Sequence, residues 1–109
     1  MSRTALGDLE HQVLLAALRL KGEAYSVSVV LEIQARTGRE VAQSAVFIAL
    51  RRLEAKGLLH SRLEEQRDER TRVRRYFELT PPGLEMLREM RRVLRSLWQG
   101  FTADLEGVR

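Results

Sequence analysis

Cysteine is absent from the 109-residue chain, which excludes disulfide scaffolds, cysteine-containing metal sites and thiol catalysis. Histidine occurs only as His11 and His60, with no serine or carboxylate spaced to make a triad, and two imidazoles without thiols make a poor metal sensor. No GxGxxG, GxxxxGK[ST], HExxH or GxSxG run is present, so phosphate-cradling loops and nucleophile turns have no candidate. The longest apolar run falls far short of the roughly 18 residues that span a bilayer, and the amino terminus has neither the apolar core nor the cleavage pattern of a signal peptide. These absences predict a cytoplasmic protein that is not an enzyme, holds no cofactor or metal and binds no membrane.

What is present is charge, unevenly placed. The net charge of +4 is modest, but residues 51–75 hold nine Arg or Lys against five Asp or Glu, while the rest of the chain is balanced. The whole formal excess thus lies in one window, the footprint of a surface that meets a polyanion. The length suits one small domain with a single core, which gains from a partner subunit.

The window begins inside the most informative stretch, residues 41–59. Val46, Ala49, Leu50 and Leu53 repeat at steps of three and four, which predicts one buried helical face. Gln43, Ser44, Phe47, Ile48, Arg51, Arg52 and Lys56 fall on the other. Gly57 is placed to end the helix in a left-handed conformation, and Lys56 suits the negative end of the dipole. The outward face offers hydrogen-bonding and apolar groups near its start and cations near its end, an order that fits a major groove: early residues on base edges, later ones on phosphates. A merely solvated face with two arginines is the competing reading.

Around this helix the pattern is regular. A helix from about Gly7 to Arg19, apolar around more than one stripe, is expected to be buried on two sides, with Leu9 and Val13 among the positions open to another subunit. His11 within it reads as an ordinary, partly exposed residue. A second helix runs from Tyr25 or Ser26 to about Arg36, with Val27, Val30, Leu31 and Ile33 as its expected buried side. Leu58 to Leu63 and Val73 to Leu79 then predict a two-stranded hairpin with a charged tip, whose acids would repel phosphate unless they point away. Thr80-Pro81-Pro82 is a strong helix start, from capping oxygen and first-turn proline alike. The helix formers that follow run to Leu105, about 35 Å if continuous. Leu87, Leu94 and Phe101 are spaced by seven, as are Met90 and Leu97, and with Trp98 they make more apolar surface than so small a domain covers. Gly100 interrupts the run. Trp98 reads first as a packing anchor and second as the lining of a pocket for a flat apolar effector.

The order helix, helix, basic helix, charged hairpin, long helix resembles the PadR family of bacterial transcriptional regulators. The resemblance rests on Leu50-x-Arg52-Leu53-Glu54-x-x-Gly57-Leu58 together with Tyr76-Phe77-x-Leu79-Thr80-x-x-Gly83, and it extends back to Leu6-Gly7-Asp8-Leu9. It implies a mainly α, α+β fold: a winged helix-turn-helix with a two-stranded wing over residues 1–80, and a long C-terminal dimerisation helix over 81–109 that packs with the first helix. It further implies a homodimeric repressor that binds double-stranded DNA at a palindromic operator, of the compact subgroup; a small apolar or aromatic effector follows only from the second reading of Trp98. Carried over by position, Gln43, Ser44, Phe47 and Ile48 face the groove, Arg51 and Arg52 the backbone, and Arg70, Arg72, Arg74 and Arg75 belong to the wing.

The chain departs from the family pattern at four places. Ala42 stands where a capping serine is common, Phe47 where tyrosine is usual, Thr71-Arg72-Val73 where the wing is typically glycine-rich, and Ser26 where glycine follows the tyrosine. A winged helix used as a protein adaptor or antagonist of another regulator is the main alternative, favoured by the acids of the wing. A nonspecific chromosome-coating protein is the next.

Overall fold

Local chemistry sets the helix boundaries. In the computed structural model the described residues are 6–66 and 72–101, so the expected wing cation Arg70 and the expected apolar position Leu105 lie outside them. Helix α1 (Asp8–Leu20) ends where Lys21 and Gly22 both take positive φ. Helix α2 (Ser26–Thr37) ends at Gly38, φ 76°, whose N–H donates to the Gln34 carbonyl at 2.8 Å. Helix α3 (Gln43–Ala55) follows Ala42, which has no side-chain oxygen to cap it, and it stops before Gly57 at φ 80°. Strands β1 (Leu59–Glu65) and β2 (Val73–Leu79) pair antiparallel, with Leu59 opposite Leu79 and Glu65 opposite Val73. The Phe77 N–H donates to the Ala24 carbonyl at 2.8 Å, tying the hairpin to the loop before α2.

Helix α4 (Pro81–Trp98) starts as its sequence predicts, with the Thr80 hydroxyl accepting from the Gly83 N–H at 3.1 Å. Its end differs from expectation. Gln99 is extended and Gly100 takes φ 77°, so the helix closes at Trp98 and spans about 27 Å rather than 35 Å. Gly100 carries a helix-propensity cost of about 1 kcal/mol and takes this left-handed conformation without a Cβ penalty.

The core joins α1, α2, α3 and the hairpin: Val13, Leu14, Val29, Ile33, Val46, Leu50, Leu53, Leu59 and Phe77 are buried in it. The face that α2 turns inward is centred on Val29 and Ile33, four residues apart. Leu31 lies two positions from each, on the far side of the helix, and is 58% exposed, which corrects its expected burial. Val13, fully covered, and Leu87, nearly so, belong to this same core. Both stand among the expected subunit contacts; Val13 offers such a contact no surface because the chain itself encloses it, whereas Leu87 keeps a small edge at a cavity beside α4. Leu9 and Met90 are half-buried against the core.

Candidate nucleic-acid interface

Because Val46, Ala49, Leu50 and Leu53 turn inward, helical periodicity forces Gln43, Ser44, Phe47, Ile48, Arg51, Arg52 and Lys56 out to solvent, where the structure has them. They are not equally free. The Gln43 amide Nε2 donates to the Ser26 hydroxyl at 3.1 Å, so the first residue of α3 is held by the first residue of α2. Phe47 meets the edge of Phe77 at 6.5 Å between centroids, and the Arg51 guanidinium lies 5.9 Å from the Phe47 ring. Arg51 pairs with Glu54 at 3.3 Å, and Lys56 with Glu10 of α1 at 2.7 Å. Among the described residues Arg52 has no carboxylate partner.

The hairpin adds cations from the other side. The Arg74 guanidinium lies over the Tyr25 ring, 4.0 Å from its centroid, and donates to the Tyr76 hydroxyl at 3.2 Å, while Tyr25 and Tyr76 meet edge to face at 5.6 Å. Arg62, opposite Tyr76 in the strand register, covers that ring at 5.0 Å and donates to the Gly22 carbonyl at 3.1 Å. Its hydrogen bond to Glu64 raises its pKa further, so its charge is permanent. Such stacking is worth ~0.5–1 kcal/mol each at an exposed site, and it holds the guanidinium planes in place. Arg75 donates to the Ser61 hydroxyl at 2.8 Å, which donates in turn to Glu54 at 2.6 Å. Arg51 and Arg75 therefore converge on one carboxylate.

Between the two sets lies a cleft of about 260 Å³ lined by Tyr25, Ser26, Val27, Gln43, Phe47, Arg72, Val73, Arg74 and Arg75. It joins five of the expected DNA-facing residues, Gln43 and Phe47 of α3, Arg74 and Arg75 of β2, and Arg72 just before that strand. Ser44, Ile48, Arg51, Arg52 and Lys56 lie outside it, farther along or around α3. Sequence reasoning missed Arg62, Tyr25, Tyr76 and Ser26 as parts of this surface. Strand alternation could have placed Arg62 beside Tyr76; nothing local could have brought Tyr25 to Arg74.

A second surface lies where α1 meets α4. Leu94, Leu97, Trp98 and Phe101 are exposed there, and Leu15, Leu18 and Val93, outside the expected set, are exposed with them. Trp98 and Phe101 stack at 5.9 Å with their rings tilted. A cavity of about 380 Å³ opens on this side, with Leu15, Leu18, Leu84, Leu87, Leu94 and Trp98 as its apolar lining and His11, Arg88, Arg91 and Arg95 as its polar one. Burial lowers the His11 pKa, against the opposing charge of Asp8, so its imidazole is neutral near pH 7. Among the described residues no helix is long and apolar enough to cross a membrane.

The model of the transcriptional regulator PadR-like family matches residues 14–89 of this chain. Among solved structures, the chain is similar to a PadR family transcriptional regulator from Eggerthella lenta, at 29% identity and a TM-score of 0.67 over 88% of this chain and 82% of that one. It is similar to a PadR-like transcription factor from Bacteroides fragilis at 22% identity, with a TM-score of 0.71 over 82% of each chain. A PadR family transcription regulator from Clostridium difficile aligns at 19% identity with a TM-score of 0.70, over 89% of this chain and 100% of that one. No curated protein matches.

Proposed function

This chain belongs to the PadR-like family of transcriptional regulators, and from that premise we propose that it is a cytoplasmic, homodimeric repressor that binds a palindromic operator. In this reading residues 1–80 carry the DNA-binding head, and residues 81–109 with α1 carry the dimer contact. The observation that carries the proposal is the shared cleft, where the free face of α3 and the arginines of β2 meet. A rod-like duplex laid across them meets base-reading groups at the start of α3 and fixed cations on both sides. The uncovered Leu94, Leu97, Trp98 and Phe101 support pairing of two copies. The cavity beside Trp98 suits a small apolar or aromatic effector that loosens the repressor, since five leucines and Trp98 line it.

Selection of bound duplexes from a random pool, beside light scattering for the oligomeric state, tests this reading. The expected product is an inverted repeat whose half-sites are one helical turn apart, or a small multiple of it, bound by a dimer. Arg52→Ala should then weaken all duplexes alike, by about threefold to tenfold, and reduce the salt slope by about one. Equal affinity for selected and random duplexes would remove the repressor reading.

One observation favours the adaptor alternative: Lys56 and Arg51 are each paired with a carboxylate of the chain itself. An adaptor would shift no genomic fragment at moderate salt, so a gel shift separates the two.

A further inference from the structure

The geometry points to Ser26 as a positioning residue for base readout: its hydroxyl fixes the Gln43 amide so that α3 selects adenine over guanine at one base pair of each half-site. This rests on the DNA-binding reading above and adds the base that one position reads.

Gln43 is the first residue of α3, exposed, and a glutamine there would ordinarily sweep through several rotamers. Here its Nε2 is held 3.1 Å from the Ser26 Oγ, a partner 17 residues away on a different helix. Ser26 is itself well seated. The preceding Tyr25 gives its N–H to the Ser28 hydroxyl at 2.9 Å, lies beneath the Arg74 guanidinium at 4.0 Å and meets the Tyr76 ring at 5.6 Å. The acceptor that holds Gln43 is therefore part of the folded scaffold.

The stereochemistry of the amide does the rest. A glutamine side chain has two N–H donors and one carbonyl acceptor. With one donor given to Ser26, one N–H and the carbonyl remain to face the groove. Adenine presents that complement in the major groove, an acceptor at N7 beside a donor at N6, whereas guanine presents acceptors at both N7 and O6. A Gln43 carbonyl held in place would face the guanine O6 lone pairs. Were the amide turned so that its oxygen took the serine proton, two N–H groups would remain and guanine would be preferred. The identity of the base thus reports which way the serine holds the amide. Ser26 stands where the family pattern has glycine, and glycine offers no such hydroxyl.

The experiment uses the full chain and the duplex it selects from a random pool. Each base pair of that duplex is replaced in turn, including adenine by 7-deazaadenine, against wild type, S26A, Q43A and the double variant. Wild type is expected to lose about tenfold in affinity at one symmetric pair when adenine becomes guanine, and similarly when N7 is removed. S26A should hold the adenine duplex within a few-fold of wild type yet discriminate guanine only weakly, and S26A in the Q43A background should change nothing more. A merely structural serine would instead lower affinity for every duplex alike. Unchanged discrimination in S26A, a uniform loss across duplexes, or a wild-type preference for guanine at the Gln43 position would each overturn the inference and leave operator binding intact. Failure of wild type to select any sequence would remove operator binding and the inference together. Circular dichroism of each variant checks that it is folded.

Discussion

Arginine does different work at the two ends of this molecule. Around the cleft, the guanidinium groups of Arg74 and Arg62 lie over the Tyr25 and Tyr76 rings, so each cation is held against an aromatic face. On α4, Arg88 and Arg92 pair with Glu85 and Glu89 three residues earlier, on the exposed flank of the helix, and Leu94, Leu97 and Trp98 remain bare beside them. Exposed helix pairs of that kind contribute only about 0.3–0.5 kcal/mol. The two ends therefore ask for different partners. The cleft side gathers guanidinium groups over aromatic rings; the long helix carries ion pairs on one flank and bare apolar side chains beside them.

The joint between the two ends is the place to break this contrast. Gly83, in the first turn of α4, sits against the Leu58 carbonyl, and a Cβ there would be driven well inside contact distance of backbone oxygen. Backbone cannot yield as a side-chain tip can, so Gly83→Ala is expected to destabilise the fold by about 3 kcal/mol, read as a lower urea midpoint. A midpoint equal to wild type would mean that α4 is not seated on the turn after α3 as described.

Leu97→Glu separates the two ends instead of breaking their joint. Leu97 is 74% exposed, so the change should alter the stability of the single chain by no more than about 0.5 kcal/mol. Self-association should be lost in light scattering, and with it a hundredfold or more of affinity for a two-half-site duplex. A Leu97→Glu chain that still pairs would locate the subunit contact elsewhere.

The smallest effect sharpens the charge at the reading end. Lys56 is held by Glu10 at 2.7 Å, so Glu10→Gln should free its ammonium, raise duplex affinity by about twofold to fivefold and steepen the salt slope by about 0.9. Titration at two salt concentrations checks it. Unchanged affinity would mean that Lys56 does not face phosphate.

Features encoded over a few neighbours were legible in the sequence. The Thr80 cap, the Gly57 stop and the inward face of α3 each depend on residues within about one turn, and each stands where the sequence has it. Leu31 was misjudged because Val27, Val29, Val30, Leu31 and Ile33 place apolar groups on nearly every side of α2, and only the positions of α1 and α3 decide which side is covered. The end of α4 was overestimated for a related reason: helix propensity beyond Trp98 was favourable in sum, yet Gln99 is extended and Gly100 takes a left-handed φ that closes the helix there. The cleft was half legible. Gln43, Phe47 and the wing arginines followed from periodicity and charge, whereas Tyr25 under Arg74, Lys56 on Glu10 and Ser26 on Gln43 join residues far apart in the chain, and no local pattern records such pairs.

The root of α4 is fastened twice to the turn that follows α3: the Thr80 N–H donates to the Leu58 carbonyl at 3.1 Å, and its hydroxyl to the Gly57 carbonyl at 2.6 Å. A rod anchored in this way cannot swivel against its own head without losing both bonds. In a pair of such chains, the gap and angular phase between the two heads would follow from how the rods cross, as the points of a caliper follow its hinge. A molecule wedged beside Trp98 would then act at a distance by mis-spacing two intact heads along the duplex, with no need to unfold either one.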